Sequence, residues 1–262
     1  MSMISETFAD LKREGRKGLV GFMVAGAPDM ERSESDIRAV LDNGVDVLEL
    51  GIPFSDPTAD GPVIQVAALQ ALAAGATLAK VLEMVARLRR DYRQPIILFG
   101  YLNPFYKFGY DKVFPAVRKA GADGVLLVDL PYEETGEVRP LLECEGLDLI
   151  ALIAPTTGSD RAAMILNKAS GFVYYISVTG VTGQRSTVAD DIEEHVADLR
   201  KVTQLPVAVG FGISRGEQAA QVARYADAVV VGSAFVKAAE EGRLVECVRE
   251  IRQGLDGMRS KL

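Results

Sequence analysis

The sequence predicts an α/β chain folded as one (β/α)8 barrel, the TIM-barrel architecture, over residues 1–262. Three observations carry that expectation. Short apolar runs alternate with amphipathic helical segments from end to end, the pattern of parallel β/α units. Eight such runs occur in 262 residues, and a barrel of eight units typically takes about 250. The runs are nearly continuous in branched apolar residues, as strands covered on both faces require. A doubly wound open sheet is the alternative. It carries a glycine-rich fingerprint after its first strand, where this chain reads Ala25-Gly26-Ala27-Pro28.

The elements follow in order. Residues 4–14 place Ile4, Phe8 and Leu11 at helical spacing, a helix expected to cap the N-terminal end of the barrel. The strands are expected at 18–25, 46–52, 95–102, 124–130, 149–154, 172–178, 206–211 and 228–231. Helical segments between and after them are expected at 33–43, 77–91, 110–120, 135–145, 160–169, 192–203, 216–225 and 244–258. A further helix begins after the Pro-, Asp- and Gly-rich loop that follows the second strand. Thr77, Ser159 and Ser214 are candidate N-caps, since a hydroxyl accepts from an unpaired first-turn N–H. Gly44, Gly121 and Gly146 suit helix C-termini. Residues 234–241, before Gly242, are expected to form a short extra helix after the eighth strand. No linker or low-complexity tract divides the chain.

Composition narrows the function. The chain is 48% hydrophobic, enough for a substantial core, and has no uninterrupted apolar run of membrane-spanning length. Residues 1–18 mix acids and bases without an apolar signal core, so secretion is not expected. Two cysteines, Cys144 and Cys247, fall in helical segments and suit a reducing cytoplasm. A net charge of −7, spread along the chain, argues against nucleic-acid binding. The one histidine, His195, leaves no multi-histidine metal site and no Ser-His-Asp triad, so no metal is expected.

In this architecture reactive groups gather at the C-terminal ends of the strands. Those ends supply Phe22, Glu49, Asp60 through its loop, Tyr101, Leu127 with Asp129, Ile153, Tyr174 with Tyr175, and Phe211. The pocket is therefore mostly apolar and aromatic. A carboxylate inside an apolar strand is costly unless paired, protonated or used. Glu49 in the strand and Asp60 on the loop after it thus form a candidate acid/base pair in unlike environments. Tyr174 and Tyr175 point to opposite faces, so only one can enter the pocket. No lysine lies within an expected strand, which disfavours a Schiff-base route. The sixth strand leads into a glycine-bearing loop through Gly183. The seventh ends in Gly210-Phe211-Gly212 and the eighth in Gly232-Ser233. Small residues before a helix N-terminus suit a phosphate, and barrels commonly hold one here.

At these residues a resemblance becomes specific. The runs Leu48-Glu49-Leu50-Gly51-Ile52-Pro53-Phe54-Ser55-Asp56-Pro57-Thr58-Ala59-Asp60-Gly61-Pro62 and Thr179-Gly180-Val181-Thr182-Gly183, with Gly210-Phe211-Gly212, resemble the tryptophan synthase α subunits, and the similarity covers essentially the whole chain. The resemblance implies a lyase that cleaves indole-3-glycerol phosphate to indole and glyceraldehyde 3-phosphate, with no cofactor in this chain. It implies Glu49 as general acid/base and Asp60 as acceptor for the indole N–H. Phe22, Phe99, Leu127, Ile153, Tyr174 and Phe211 would line the indole pocket. Gly183, Gly212, Gly232 and Ser233 would hold the phosphate, and Thr182 would sit on a loop closing over substrate. It further implies a β-subunit partner that uses pyridoxal phosphate and receives indole in an α–β–β–α heterotetramer. The docking face would include Asp56-Pro57 and the region around Asn103-Pro104. A sister phosphate-binding barrel, such as indole-glycerol-phosphate synthase, would want a catalytic lysine at a strand end. A non-catalytic activator subunit would need Glu49 to be dispensable.

Overall fold

The computed structural model describes residues 2–177, 185–210 and 212–257, with 185–191 described as helical backbone. Helix α1 (Met3–Arg13) precedes β1 (Gly18–Val24), α2 (Met30–Asp42), β2 (Val47–Gly51), α3 (Pro62–Ala73), α4 (Leu78–Asp91), β3 (Ile96–Gly100), α5 (Leu102–Phe108), α6 (Tyr110–Ala120) and β4 (Gly124–Leu127). Then come a 3₁₀ turn (Tyr132–Glu134), α7 (Thr135–Glu145), β5 (Asp148–Leu149), β6 (Ala151–Ile153), α8 (Ser159–Leu166), β7 (Val173–Ile176) and α9 (Arg185–Val202). The chain continues through β8 (Val207–Gly210), α10 (Gly216–Ala223), β9 (Ala228–Val231), α11 (Ser233–Glu240) and α12 (Leu244–Asp256).

The strands form one sheet in the order β5-β4-β3-β2-β1-β9-β8-β7-β6. All its pairs are parallel. The two ends of that order, β5 and β6, are consecutive pieces of the fifth strand expected from the sequence, separated by Ile150. The sheet therefore returns on itself as an eight-unit barrel. The register sets Phe22 beside Glu49, Gly51 beside Phe99, and Ile176 beside Gly210.

Period-2 alternation divides the apolar residues into two layers. Val20, Val47, Ile97, Leu126, Ile150, Phe172, Ala208 and Val230 fill the barrel interior, where Ile4 and Phe8 of α1 join them. The Phe8 and Phe172 rings lie 5.4 Å apart. The apolar face of α1 thus packs into the core at the N-terminal end of the strands, as its spacing implied. Burial of Ile4, Phe8 and Leu11 stabilises this closure by roughly 1.5–3 kcal/mol each. The alternate strand residues, among them Leu48, Leu98, Leu127, Val209 and Val229, pack outward against the helices.

The lower rim is held by a repeated device. Asp46, Asp123 and Asp227 each stand just before a strand and accept a backbone N–H from the start of the preceding one. The donors are Leu19 at 2.8 Å, Ile96 at 2.8 Å and Val207 at 2.9 Å. Arg252 and Arg89 complete the first two pairs at 3.0 and 2.7 Å. These carboxylates satisfy strand-end donors that have no ladder partner.

Thr77 caps α4, accepting from the Lys80 N–H at 3.3 Å, and Gly121 and Gly146 end α6 and α7 in the left-handed conformation. Two expected caps are corrected. Gly158 occupies the N-cap of α8, with Ser159 already helical. Arg215 occupies that of α10, while Ser214 directs its N–H and hydroxyl to the Gln218 side chain. Among the described residues no single helix is long and apolar enough to cross a membrane.

Candidate active site

A cavity of about 460 Å³ opens at the C-terminal ends of the strands. Its floor and walls are the uppermost inward-facing residues, and Glu49 of β2 is among them. Glu49 is 0% exposed, and neither carboxylate oxygen has a hydrogen-bond partner among the described residues. With no cation or donor to favour the ionised form, burial alone pushes its carboxyl up to about 8 from 4.5. At neutral pH Glu49 is therefore mostly a protonated acid, able both to deliver a proton and to take one back.

Asp60 sits on the loop between β2 and α3 and lines the same cavity. Tyr101, just beyond β3, holds that loop. Its hydroxyl donates to Asp60 Oδ2 at 3.1 Å and accepts from the Ala59 N–H at 2.9 Å. Its ring stacks on Phe54 at 5.0 Å. Gln65 of α3 donates to the Asp60 carbonyl at 2.9 Å. Burial raises the Asp60 carboxyl, and the Tyr101 hydrogen bond pulls it back down. Burial pushes the Tyr101 hydroxyl up to about 12, so it remains a donor.

Two glycines shape the aromatic walls. A Cβ on Gly51 would meet the Phe22 ring at 2.6 Å, and one on Gly210 would meet the Tyr174 hydroxyl at 2.6 Å. Both strands thus give up a side chain where a ring crosses them. Phe22 meets Phe99 edge to face at 5.0 Å. Tyr174 faces the cavity, its hydroxyl kept protonated by burial and then by the Glu49 and Asp60 carboxyls. Tyr175 faces the helix layer and stacks on His195 at 5.7 Å.

Gly212, with φ +54°, Gly232 and Ser233 line the same cavity, at the ends of β8 and β9. Gly232 is the N-cap of α11, whose first turn presents N–H groups without intrahelical acceptors. Lys237, one turn along α11, also lines this end and makes only a long, 3.9 Å contact with Glu241. Unpaired N–H groups, a helix N-terminus and a lysine together suit a phosphate or another small dianion.

The structure thus brings Phe22, Glu49, Asp60, Phe99, Tyr174, Gly212, Gly232 and Ser233 around one cavity. It does not bring in Leu127 and Ile153, which pack outward in the helix-facing core. Their neighbours Val128 and Leu152 carry the inward phase and line the cavity instead. The expectation took the last residue of each apolar run without fixing the phase of the alternation. Thr182, Gly183 and Phe211 lie outside the described residues. Asp129 accepts the Leu102 N–H at 2.7 Å, steadying the start of α5. Sequence reasoning missed Val63 and Ile64 of α3 and Lys237 as lining residues. It also gave Tyr101 no task, although a tyrosine at a strand end beside an acidic loop was its signal.

Fold and site define a (β/α)8 barrel with a buried acid and a helix N-terminus around one cavity at its strand ends. The family model described as tryptophan synthase alpha chain matches residues 8–258. The chain is 48% identical to the tryptophan synthase alpha chain of Geobacter sulfurreducens over 100% of this chain and 99% of the relative. It is 49% identical to that of Geobacter sp. (strain M21), covering 96% and 94%. A crystal structure of tryptophan synthase subunit alpha from Legionella pneumophila superposes with a TM-score of 0.91 at 38% identity, covering 98% and 99% of the two chains. The chain belongs to the tryptophan synthase alpha chain family.

Proposed function

We propose that this chain is a lyase of tryptophan biosynthesis that cleaves indole-3-glycerol phosphate to indole and glyceraldehyde 3-phosphate. The observation that carries the reading is a fully buried Glu49, without a hydrogen-bond partner among the described residues, facing a cavity that a helix N-terminus also lines. The phosphate would rest on Gly212, Gly232, Ser233 and the first turn of α11, with Lys237 nearby and Gly183 adding to the cradle. The indole ring would lie between Phe22, Phe99, Tyr174, Val128 and Leu152, with Phe211 expected to line the slot as well.

Carbon–carbon cleavage needs the ring carbon C3 to gain a proton and the adjoining glycerol hydroxyl to lose one. Glu49, neutral at the start, gives its proton to C3. The resulting carboxylate then takes the hydroxyl proton as the bond breaks and the aldehyde forms. Asp60, held by Tyr101, accepts the indole N–H and stabilises the cationic ring between those steps. A loop carrying Thr182 would close over the site and exclude water.

This chain needs no cofactor of its own in that scheme; pyridoxal phosphate belongs to a β-subunit partner that takes the indole. The docking face would be the strand-end rim carrying Asp56-Pro57, Asn103-Pro104 and α5, where Tyr106 is 68% exposed. An α–β–β–α assembly in the cytoplasm is the corresponding expectation.

The test is indole release from indole-3-glycerol phosphate, with and without the β subunit. Glu49→Gln is expected to lower turnover by about 10²–10⁴-fold while leaving glycerol 3-phosphate binding unchanged. No indole from the native chain under either condition overturns the lyase reading. Full activity in Glu49→Gln removes Glu49 as the acid.

A further inference from the structure

Among the described residues the barrel wall is interrupted at the fifth strand, and a second cavity lies against the interruption. β4 pairs with β5 through Gly124 and Val125 only, and β6 pairs with β7 on its other side. No strand pairing joins β4 to β6, so a seam runs between Leu127-Val128 and Ala151-Leu152. On the outer side of this seam, between α7 and α8, is a cavity of about 280 Å³. It is separate from the active-site cavity, yet Val128 and Leu152 line both.

Its chemistry is cationic and aromatic. Arg139, Arg161 and Lys168 line it with Tyr132. Arg139 and Arg161 each place a guanidinium 5.8 Å from the centre of the Tyr132 ring. The charge of Arg161 is taken by Glu133 in a two-point ion pair. That of Arg139 is not. Its Nη2 donates to the Thr135 hydroxyl at 2.7 Å, and its Nε is buried with no acceptor among the described residues. Arg139 and Lys168 also line an adjoining groove with Glu143 and Asp148, and among the described residues neither carboxylate comes within ion-pair distance of them. Nε is sealed from the cavity, so a ligand meets this guanidinium at its Nη end, where no carboxylate of the described residues pairs with it. Leu130, Ile165 and Ala169 supply an apolar floor.

We propose that this outer cavity is a second ligand site, taking a small planar organic carboxylate. Its carboxylate engages Arg139, with Lys168 at the entrance, and its flat body lies against Tyr132 and the apolar floor. Planarity follows from the tyrosine face. The carboxylate follows from the two Nη groups at the end of one guanidinium, which can meet two oxygens in a plane. The volume of about 280 Å³ has room for one fused-ring body.

The test is calorimetric titration of the full-length chain with 1-naphthoate. Saturable binding at one site per chain is expected, weakened at least tenfold by Arg139→Gln and several-fold by Lys168→Gln. Binding to Glu49→Gln should equal native binding, and saturating indole should not displace the probe. No saturable binding overturns the proposal, as does equal binding by native and Arg139→Gln protein. Displacement by indole overturns it too, because it places the probe in the barrel cavity. If Arg139→Gln does not fold, Lys168→Gln decides: its side chain is exposed, and unchanged binding in that variant refutes the site.

Discussion

Replacing Glu49 by Gln should make the protein more stable, by an amount that grows with pH. The carboxyl titrates at about 8 in the folded chain, against 4.5 when solvated. Between those values the folded chain holds a proton that the unfolded chain has released. Stability contributed by the neutral form is therefore complete below about 4.5, is lost as pH rises towards 8, and is flat above it. At about 1.4 kcal/mol per pH unit, the interval corresponds to about 5 kcal/mol in all and about 3 kcal/mol by pH 7. The amide of Glu49→Gln has nearly the same shape and no charge to desolvate, so it does not suffer this loss. Any fixed cost of burying the amide is the same at every pH and cancels in the slope. Urea unfolding of both proteins at about pH 5, 7 and 9 reads the difference directly. The gap should widen by several kcal/mol from the lowest to the highest pH. Parallel stability curves would refute the reasoning, because they would mean the Glu49 carboxylate is solvated or paired in the folded protein.

The remaining predictions concern the groups around it. Asp60→Asn should cut indole release by about 10²–10³-fold with glycerol 3-phosphate affinity little changed; loss of that affinity in calorimetry would move Asp60 to the phosphate end. Tyr101→Phe removes the hydrogen bond that pulls the Asp60 carboxyl down, so the acid limb of the pH–rate profile should move to higher pH, and an unmoved limb would deny Tyr101 this influence. Gly210→Ala places a methyl 2.6 Å from the Tyr174 hydroxyl and should cost about 1–3 kcal/mol in urea unfolding, with a weaker KM as the ring is displaced; unchanged stability would contradict the position of the ring.

Much of the barrel is readable from local pattern, because a strand covered on both faces has to be an apolar run. The expected ends overshoot where apolar residues continue past the ladder to line the cavity, as in 124–130 against the observed β4 (Gly124–Leu127). Helix α5 escapes pattern reading because a distant group supports it: Asp129, beyond β4, receives its first N–H. Glu49 and Asp60 stand out as acids in the wrong company. The phase of a strand is a different matter. Leu127 and Ile153 are as apolar as Val128 and Leu152, and only the three-dimensional stagger of the barrel decides which pair faces inward. The tie between Tyr101 and Asp60 spans 41 positions, and no spacing rule reaches that far.

The seating of α1 has a consequence for traffic. With Ile4 and Phe8 packed into the core, the barrel is filled at its lower end, and the cavity has its door at the strand-end rim. A charged substrate can diffuse to that door through water, but an apolar product leaving by it gains nothing from the solvent outside. A protein that covered the whole doorway would intercept the product and, by the same act, bar the next substrate, so delivery and admission would have to take turns.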